Sequence, residues 1–259
     1  MDLKFHDTYQ ITLERAGLRF DYLLHLRRKA EKLLVILPNA IPEKLRAEGK
    51  LPYFPRWSWI EEIKHSVVIV NDPVLFLNDK VLLGWMAGTK DAYATELCLE
   101  TLDEIMDSHK LTEDRLVLFG SSGGGFVGLV MGARRPKATV IADIPQTNIL
   151  QYYERLWRAG LDVYYPGETA ESLLAAWPER FVALEAFRKY SIPSRIHYLQ
   201  ALTDHFHYTG HFLPFVTGFD SLPDEKKRHT ELRVMLYDHG LDGHQTLDKS
   251  KMLALINGL

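Results

Sequence analysis

Short apolar runs recur along the chain and predict the strands of a buried sheet. They lie at 33–38 (LLVILP), 67–71, 115–119, 138–142, 195–201 and 232–237. Their β-branched residues and lack of polar alternation are typical of strands buried on both faces of a parallel sheet. Two earlier segments, 9–15 and 18–26, flank Ala16-Gly17 and predict an antiparallel hairpin. The pattern therefore predicts a hairpin followed by six buried strands.

Helical periodicity fills the intervals between these strands. Residues 91–109 are predicted to form a helix, because Ala94, Cys98, Leu102 and Ile105 lie along one apolar face. A second helix is predicted from Gly123 to Arg134, ahead of Pro136. A last helix is predicted near 245–257. Because strands alternate with helices, we expect an α/β fold with an eight-stranded, mostly parallel sheet flanked by helices.

Residues 144–193 form a long, mostly helical insertion between the sixth and seventh strands. The insertion is rich in Tyr and Trp, which predicts a lid or cap over a site; packing against the sheet is the alternative explanation. No internal repeat or linker interrupts the chain, so we expect one domain over 1–259.

Composition excludes several classes of protein. The 259 residues carry a net charge of −3, which gives no electrostatic footprint for nucleic acid. No stretch approaches the 18 apolar residues of a membrane span, and the N-terminus has no signal-like apolar region. The single cysteine, Cys98, cannot form an internal disulfide and is expected in the core. We expect a cytoplasmic protein.

The stretch GSSGGGFVG at 120–128 permits two chemistries. Gly123, Gly125 and Gly128 fit a dinucleotide-binding G-x-G-x-x-G pattern, with Asp143 near the place of a ribose-binding acid. That fingerprint normally follows the first strand of its half, whereas here about four strands precede it. A Rossmann oxidoreductase is therefore the more distant alternative.

The same stretch supplies G-x-S-x-G, from Gly120 to Gly124, with Ser122 at its centre. A serine at the apex of a strand-to-helix turn needs glycine two residues away on either side, because a side chain there would collide with the turn. This frame selects Ser122 over Ser121, which has Phe119 two residues before it. The pattern predicts a serine nucleophile.

A nucleophilic serine needs a histidine as base and an acid that orients the histidine. Where the serine lies on a strand-to-helix turn of this kind, the acid comes next along the chain and the histidine comes last. Asp204 comes directly after the seventh strand, and His244 lies in the loop after the eighth. His239 is the alternative base, because it is closer to the strand end, and Asp238 and Asp242 are competing acids that suit turns.

Three histidines after the seventh strand raise the question of a metal. His205, His207 and His211 lie close together, and the last two are spaced for one helical face. No complete zinc-hydrolase spacing is present, so we predict no metal and assign these side chains to a polar loop at the pocket mouth.

Backbone amides are expected to form the oxyanion hole. The N–H of Gly123 should pair with an N–H from the loop after the third strand, where Pro38 has none; Asn39 or Ala40 is the candidate donor.

With these residues placed, the chain resembles the serine-dependent α/β-hydrolase superfamily. More narrowly it is similar to hydrolase-fold proteins of bacterial capsule and surface-glycan loci, which include polysaccharide O-acetyltransferases. The resemblance covers about residue 33 to the end and rests on LVILPNAIP, LFGSSGGGFVGLVMG, IADIPQTNI, TDHFHYTGH and DGHQ.

The resemblance implies that Ser122, Asp204 and His244 form a catalytic triad. It also implies that Trp85 and Gln146 bind substrate, with a packed loop tryptophan as the alternative for Trp85. The activity implied is acyl transfer through an acyl-enzyme, with acetyl-CoA as donor and a carbohydrate hydroxyl as acceptor, and without any further cofactor. An ester hydrolase with the same triad is the alternative, and a non-catalytic scaffold is the third class.

Overall fold

The computed structural model describes residues 7–241 and 243–259. One eight-stranded sheet runs through it in the order β1-β2-β4-β3-β5-β6-β7-β8. The strands are β1 (Thr8–Arg15), β2 (Leu18–His25), β3 (Leu33–Ile36), β4 (Ser66–Val70), β5 (Leu116–Ser121), β6 (Thr139–Asp143), β7 (Arg195–Ala201) and β8 (Glu231–Tyr237).

The strand directions match the predicted fold. β1 and β2 form an antiparallel hairpin in which Arg15 faces Leu18, and β2 is antiparallel to β4. From β4 to β8 every neighbouring pair is parallel. The carboxyl ends of β5, β6, β7 and β8 consequently meet at one edge, which brings together the segments that follow them.

Helices cover both faces of the sheet. They are α1 (Glu43–Ala47), α2 (Ala94–Ser108), α3 (Gly123–Arg134), α4 (Glu154–Tyr164), α5 (Ala170–Ala176), α6 (Pro178–Phe181), α7 (Ala183–Lys189), α8 (His205–His207), α9 (Leu213–Asp220), α10 (Asp224–Lys227) and α11 (Lys249–Asn257). A π-helical turn, Tyr208–Phe212, joins α8 to α9. Within the described ranges, none of the helices has the length and apolar composition needed to cross a membrane.

The last helix begins later than the sequence pattern predicts. Tertiary contacts hold the preceding residues out of it: the Tyr237 hydroxyl lies 3.1 Å from the Gln245 carbonyl oxygen, and the Leu247 N–H donates to Asp143. The carbonyl and N–H that a longer helix would use are thus committed elsewhere.

Two apolar cores lie on the two faces of the sheet. Leu33 and Val35 of β3 pack into the larger core, which includes residues of α2, α3 and α7, whereas Leu34 and Ile36 pack into the smaller core with α11. Cys98 is buried in the larger core, and burial raises the pKa of its thiol to about 12, so it is a packed residue rather than a reactive one.

The glycines predicted around the serine turn are required by close backbone contact. A Cβ placed on Gly120 would lie 2.2 Å from the carbonyl carbon of Gly124, and one on Gly124 would lie 2.9 Å from the carbonyl oxygen of Leu37. Both obstacles are main-chain atoms, which cannot rotate away. At Gly128 the nearest atom is the flexible Leu37 Cδ1, at 3.3 Å.

Gly120→Ala is therefore expected to lower the free energy of unfolding by more than about 2 kcal/mol, as overpacking against rigid atoms does. Gly128→Ala, in the adjacent helix, is the matched control and should change it by less than about 1 kcal/mol. Urea denaturation of both variants measures the difference. Equal stability of the two would contradict the steric account of the turn.

Candidate active site

Ser122 lies at the turn between β5 and α3 in a strained conformation. Its φ is +56° and its ψ is −122°, outside the regions that L-residues ordinarily occupy. The Ser122 N–H donates to the Asp143 carbonyl, and its own carbonyl accepts from the N–H of Gly125. The turn is thus fixed from both sides, with the Ser122 side chain at the carboxyl edge of the sheet.

Asp204 and His244 meet at the same edge. The Asp204 carboxylate follows β7, is almost fully buried and lies 2.6 Å from His244 Nδ1 through Oδ2. The His244 side chain is 36% exposed, so it faces solvent on its other side.

The competing residues are placed differently. His239 Nδ1 lies 3.5 Å from the Asp248 carboxylate, at the start of α11, rather than beside Asp204. Asp238 accepts a hydrogen bond from the Gly240 N–H within its own turn. Asp242 lies outside the described residues.

His207, expected only in a polar loop, is a second histidine in contact with Asp204. Its Nδ1 lies 3.1 Å from Asp204 Oδ1 and 2.9 Å from Oδ2, and its backbone N–H donates to Oδ1. The imidazole rings of His207 and His244 stack with centroids 4.1 Å apart. The carboxylate is therefore shared by two imidazoles.

The two histidines determine the charge of this carboxylate. Burial alone would raise the pKa of Asp204, but hydrogen bonds from His207 and His244 outweigh it and lower that pKa below its ordinary value. Burial lowers the pKa of His207, against the opposing effect of Asp204. At neutral pH the cluster is an ionised carboxylate with a neutral His207.

Gln146 connects this cluster to Ser122. Its Nε2 lies 2.8 Å from Ser122 Oγ and 3.0 Å from His207 Nε2, and its Oε1 accepts from the Trp85 indole N–H at 3.0 Å. Gln146 and Trp85 are both buried. The two residues that the resemblance assigned to substrate binding thus contact each other, and Gln146 contacts the candidate nucleophile.

The N–H groups predicted for an oxyanion hole are free to donate to a ligand oxygen. Among the described residues, the N–H groups of Gly123, Asn39 and Ala40 have no hydrogen-bond acceptor. The Leu37 and Pro38 carbonyls lie against Gly124, which brings the loop that contains Asn39 and Ala40 next to the serine turn.

Asp72, which no sequence motif singled out, fixes the loop that contains Trp85. Its buried carboxylate accepts from the N–H groups of Val74, Gly84 and Met86, each at 3.1 Å. Burial raises the pKa of Asp72 to about 6 in spite of those bonds. An acid two residues after a strand and directly before a proline was the available signal.

Asp143 does not have the place of a ribose-binding acid. Its fully buried carboxylate accepts from the Tyr237 hydroxyl at 2.7 Å, the Ser121 hydroxyl at 2.9 Å and the Leu247 N–H at 3.2 Å. Ser121 in turn accepts from the Arg56 guanidinium at 2.8 Å. Asp143 and Ser121 therefore belong to a structural network beneath the turn. This removes the basis for assigning Asp143 to a dinucleotide-binding site.

The aromatic residues of the insertion divide into two groups. Trp157, Tyr164 and Tyr165 are buried in the larger core, as packing alone would explain. Tyr152 and Tyr153, by contrast, line a cleft of about 430 Å³ together with Phe206, His207 and His244. Because the Tyr152 side chain also interacts with Ser122, the cleft lies beside the candidate nucleophile.

Asp204, His207 and His244 are also the described residues that could together hold a metal ion. Their ligand atoms lie within 4.8 Å of one another. His207 and His244 each place Nδ1 within hydrogen-bond distance of Asp204, and His207 Nε2 lies 3.0 Å from Gln146 Nε2. The hydrogen-bonded arrangement fits them better.

Comparison with known proteins identifies the fold. No family model and no curated protein sequence matches the chain. Among solved structures, the capsule O-acetyltransferase of Neisseria meningitidis serogroup A in complex with CoA superimposes with a TM-score of 0.63 at 15% identity, covering 96% of this chain and 92% of that one.

Two hydrolases are also similar. The S-formylglutathione hydrolase of Agrobacterium tumefaciens has a TM-score of 0.58 at 16% identity, covering 97% of this chain and 90% of that one. Acetyl xylan esterase 1 of Thermoanaerobacterium has a TM-score of 0.58 at 12% identity, covering 98% and 83% respectively. The chain has the α/β-hydrolase fold, as the strand pattern and the serine motif predict.

Proposed function

We propose that this protein is a serine-dependent acyltransferase that forms an acyl-enzyme on Ser122. The observation that supports this most strongly is the strained Ser122 turn at the same sheet edge as the hydrogen-bonded Asp204–His244 pair. Strain of this kind is retained where the surrounding structure enforces it, and it is concentrated at functional sites.

In the first half-reaction His244 takes the Ser122 hydroxyl proton, and Oγ attacks the carbonyl carbon of an ester or thioester. The bond to the donor's leaving group breaks, and His244 returns the proton to that group. The N–H groups of Gly123 and of Asn39 or Ala40 stabilise the negative oxygen of the tetrahedral intermediate. Asp204 orients His244 and stabilises its imidazolium form.

In the second half-reaction an acceptor hydroxyl gives its proton to His244 and attacks the acyl-enzyme. Its oxygen forms the new ester bond, the bond to Oγ breaks, and Ser122 regains its proton. We assign acetyl-CoA as donor and a carbohydrate hydroxyl as acceptor. The likeness to a capsule O-acetyltransferase that binds CoA supports both assignments.

The cleft also suits a sugar acceptor. Tyr153 is 52% exposed and stacks on Phe206 with centroids 4.5 Å apart and an interplanar angle of 11°. This flat aromatic surface lies on the cleft that contains His244, and sugar rings stack on such faces. A hydroxyl of a stacked sugar would face the candidate base.

Ester hydrolysis is the second candidate, because two of the similar structures are hydrolases and water can replace the sugar. Transfer requires that the acceptor outcompete water at roughly 55 M, and good positioning supplies effective molarities of about 10⁵ M or more.

Acetyl-CoA turnover with and without a panel of bacterial glycans separates the two. We expect slow thiol release from acetyl-CoA alone and marked stimulation by one glycan, with the acetyl group recovered on the sugar. Tyr153→Ala should raise the KM for that glycan, whereas Trp57→Ala, which removes an exposed aromatic outside the cleft, should not. Rapid turnover of simple acetyl esters, unaffected by any glycan, would contradict transfer.

A further inference from the structure

The orientation of the Gln146 amide is settled by its neighbours. The Trp85 indole N–H can only donate, so the Gln146 atom facing it at 3.0 Å is the oxygen Oε1. The amide nitrogen therefore faces the other way, where its two hydrogens have two partners, Ser122 Oγ and His207 Nε2. The oxygen and both amide hydrogens of this buried side chain thus each have a partner.

The same reasoning settles the tautomer of His207. Since Gln146 Nε2 is a donor, His207 Nε2 accepts and has no hydrogen; the hydrogen is on Nδ1 and is donated to Asp204. An amide between Ser122 and His207 cannot pass a proton from one to the other. His207 is thus excluded as the base in this arrangement, although it is connected to the nucleophile.

We propose that Gln146 is a catalytic residue that donates a hydrogen bond to Ser122 Oγ, and that His207 is a positioning residue acting through it. This inference rests on the proposed acyl transfer at Ser122. Asp204 then has two roles: through His244 it supports the base, and through His207 and Gln146 it supports the oxygen that the base deprotonates.

The donor acts where Oγ bears negative charge. Charge develops on Oγ when its proton passes to His244 at the start of acylation, and again when the bond between the acyl carbon and Oγ breaks during deacylation. A donor already held at 2.8 Å stabilises both stages without reorganisation. Both half-reactions should therefore slow by similar factors when it is removed.

The experiment measures the rate at which a fluorophosphonate probe labels Ser122, because labelling requires attack by Oγ but no acceptor. Gln146→Ala should be labelled roughly 10²-fold more slowly, the usual effect of losing one preorganised donor. Gln151→Ala is the matched control: Gln151 is exposed at the end of a short helical turn and should be labelled at the wild-type rate.

Two substitutions separate hydrogen bonding from packing at His207. His207→Phe keeps an aromatic ring against His244 but loses both hydrogen bonds, and it should be labelled at least about 10-fold more slowly. His207→Gln restores a donor for Asp204 and an acceptor for Gln146, and it should recover most of the rate. The Gln146→Ala/His207→Phe double variant should be labelled no more slowly than Gln146→Ala, because both substitutions act on the same hydrogen bond to Ser122 Oγ.

Circular dichroism of each variant verifies the fold, and kcat and KM for acetyl-CoA complete the test. We expect kcat to fall in parallel with labelling and KM to stay near the wild-type value. Wild-type labelling of Gln146→Ala would overturn this inference while Ser122 remained the nucleophile. Equal rates for His207→Phe and His207→Gln, or additive losses in the double variant, would overturn the role of His207. If Ser122 of the wild-type protein is not labelled, the proposed function fails and this inference with it.

Discussion

Ser122→Ala is expected to lower acyl turnover by about 10⁴-fold or more while the folded structure remains. Alanine removes the only atom that can form the acyl-enzyme in the proposed mechanism, and the turn is held by backbone bonds to Asp143 and Gly125 that alanine also makes. Steady-state kinetics with acetyl-CoA or an acetyl ester measures the loss. Turnover near the wild-type rate would rule out the mechanism.

Ser121→Ala is the neighbouring control, and its expected effect is on stability. The Ser121 hydroxyl is buried between the Arg56 guanidinium and the Asp143 carboxylate, so its removal leaves both charged groups without that partner. Such a loss costs about 1–3 kcal/mol. Activity per folded molecule should remain close to wild type.

The fold could be predicted because each local signal agrees with the global arrangement. The apolar runs that became β3 to β8 have no competing helical periodicity, and the hairpin at Ala16-Gly17 forms where the turn residues place it. The serine turn could be predicted because its constraint is short-range. The turn itself sets the spacing of Gly120 and Gly124, and a Cβ added to Gly120 would lie 2.2 Å from the Gly124 carbonyl carbon, which is the clash that glycine avoids.

The predicted meeting of Asp204 and His244 depends on topology, since both follow neighbouring parallel strands at one edge. Contacts between side chains that do not follow from this topology were missed. Gln146 contacts both Trp85 and His207, each separated from it by 61 residues, and nothing in the local sequence specifies such pairs.

Distant segments also determine the surroundings of Asp143 and His207. Asp143 ends a strand near the place of a ribose-binding acid, but Ser121, Tyr237 and Leu247 all donate to its carboxylate, the last two from beyond β7. His207 has the sequence context of a polar loop, but the helix that begins at His205 turns its ring onto Asp204. In both cases a distant segment determines the environment of the side chain.

The base is tested by comparing the two histidines that share Asp204. His244→Ala should reduce acyl turnover by about 10⁴-fold, as much as Ser122→Ala, and the double variant should be little worse, because triad members act as a unit. His207→Phe should retain far more activity than His244→Ala, since it weakens a donor to Oγ and leaves the base in place. His239→Ala should be close to wild type, because His239 faces Asp248.

Asp204→Asn completes the comparison and should be nearly as severe as His244→Ala. The asparagine amide lacks the negative charge that stabilises the His244 imidazolium, and it offers one acceptor oxygen where the two histidines now share two. Single-turnover kinetics of all four variants, with the fraction folded measured by circular dichroism, provides the ranking. Full activity in His244→Ala together with inactive His207→Phe would transfer the role of base to His207 and require Gln146 to move aside during turnover.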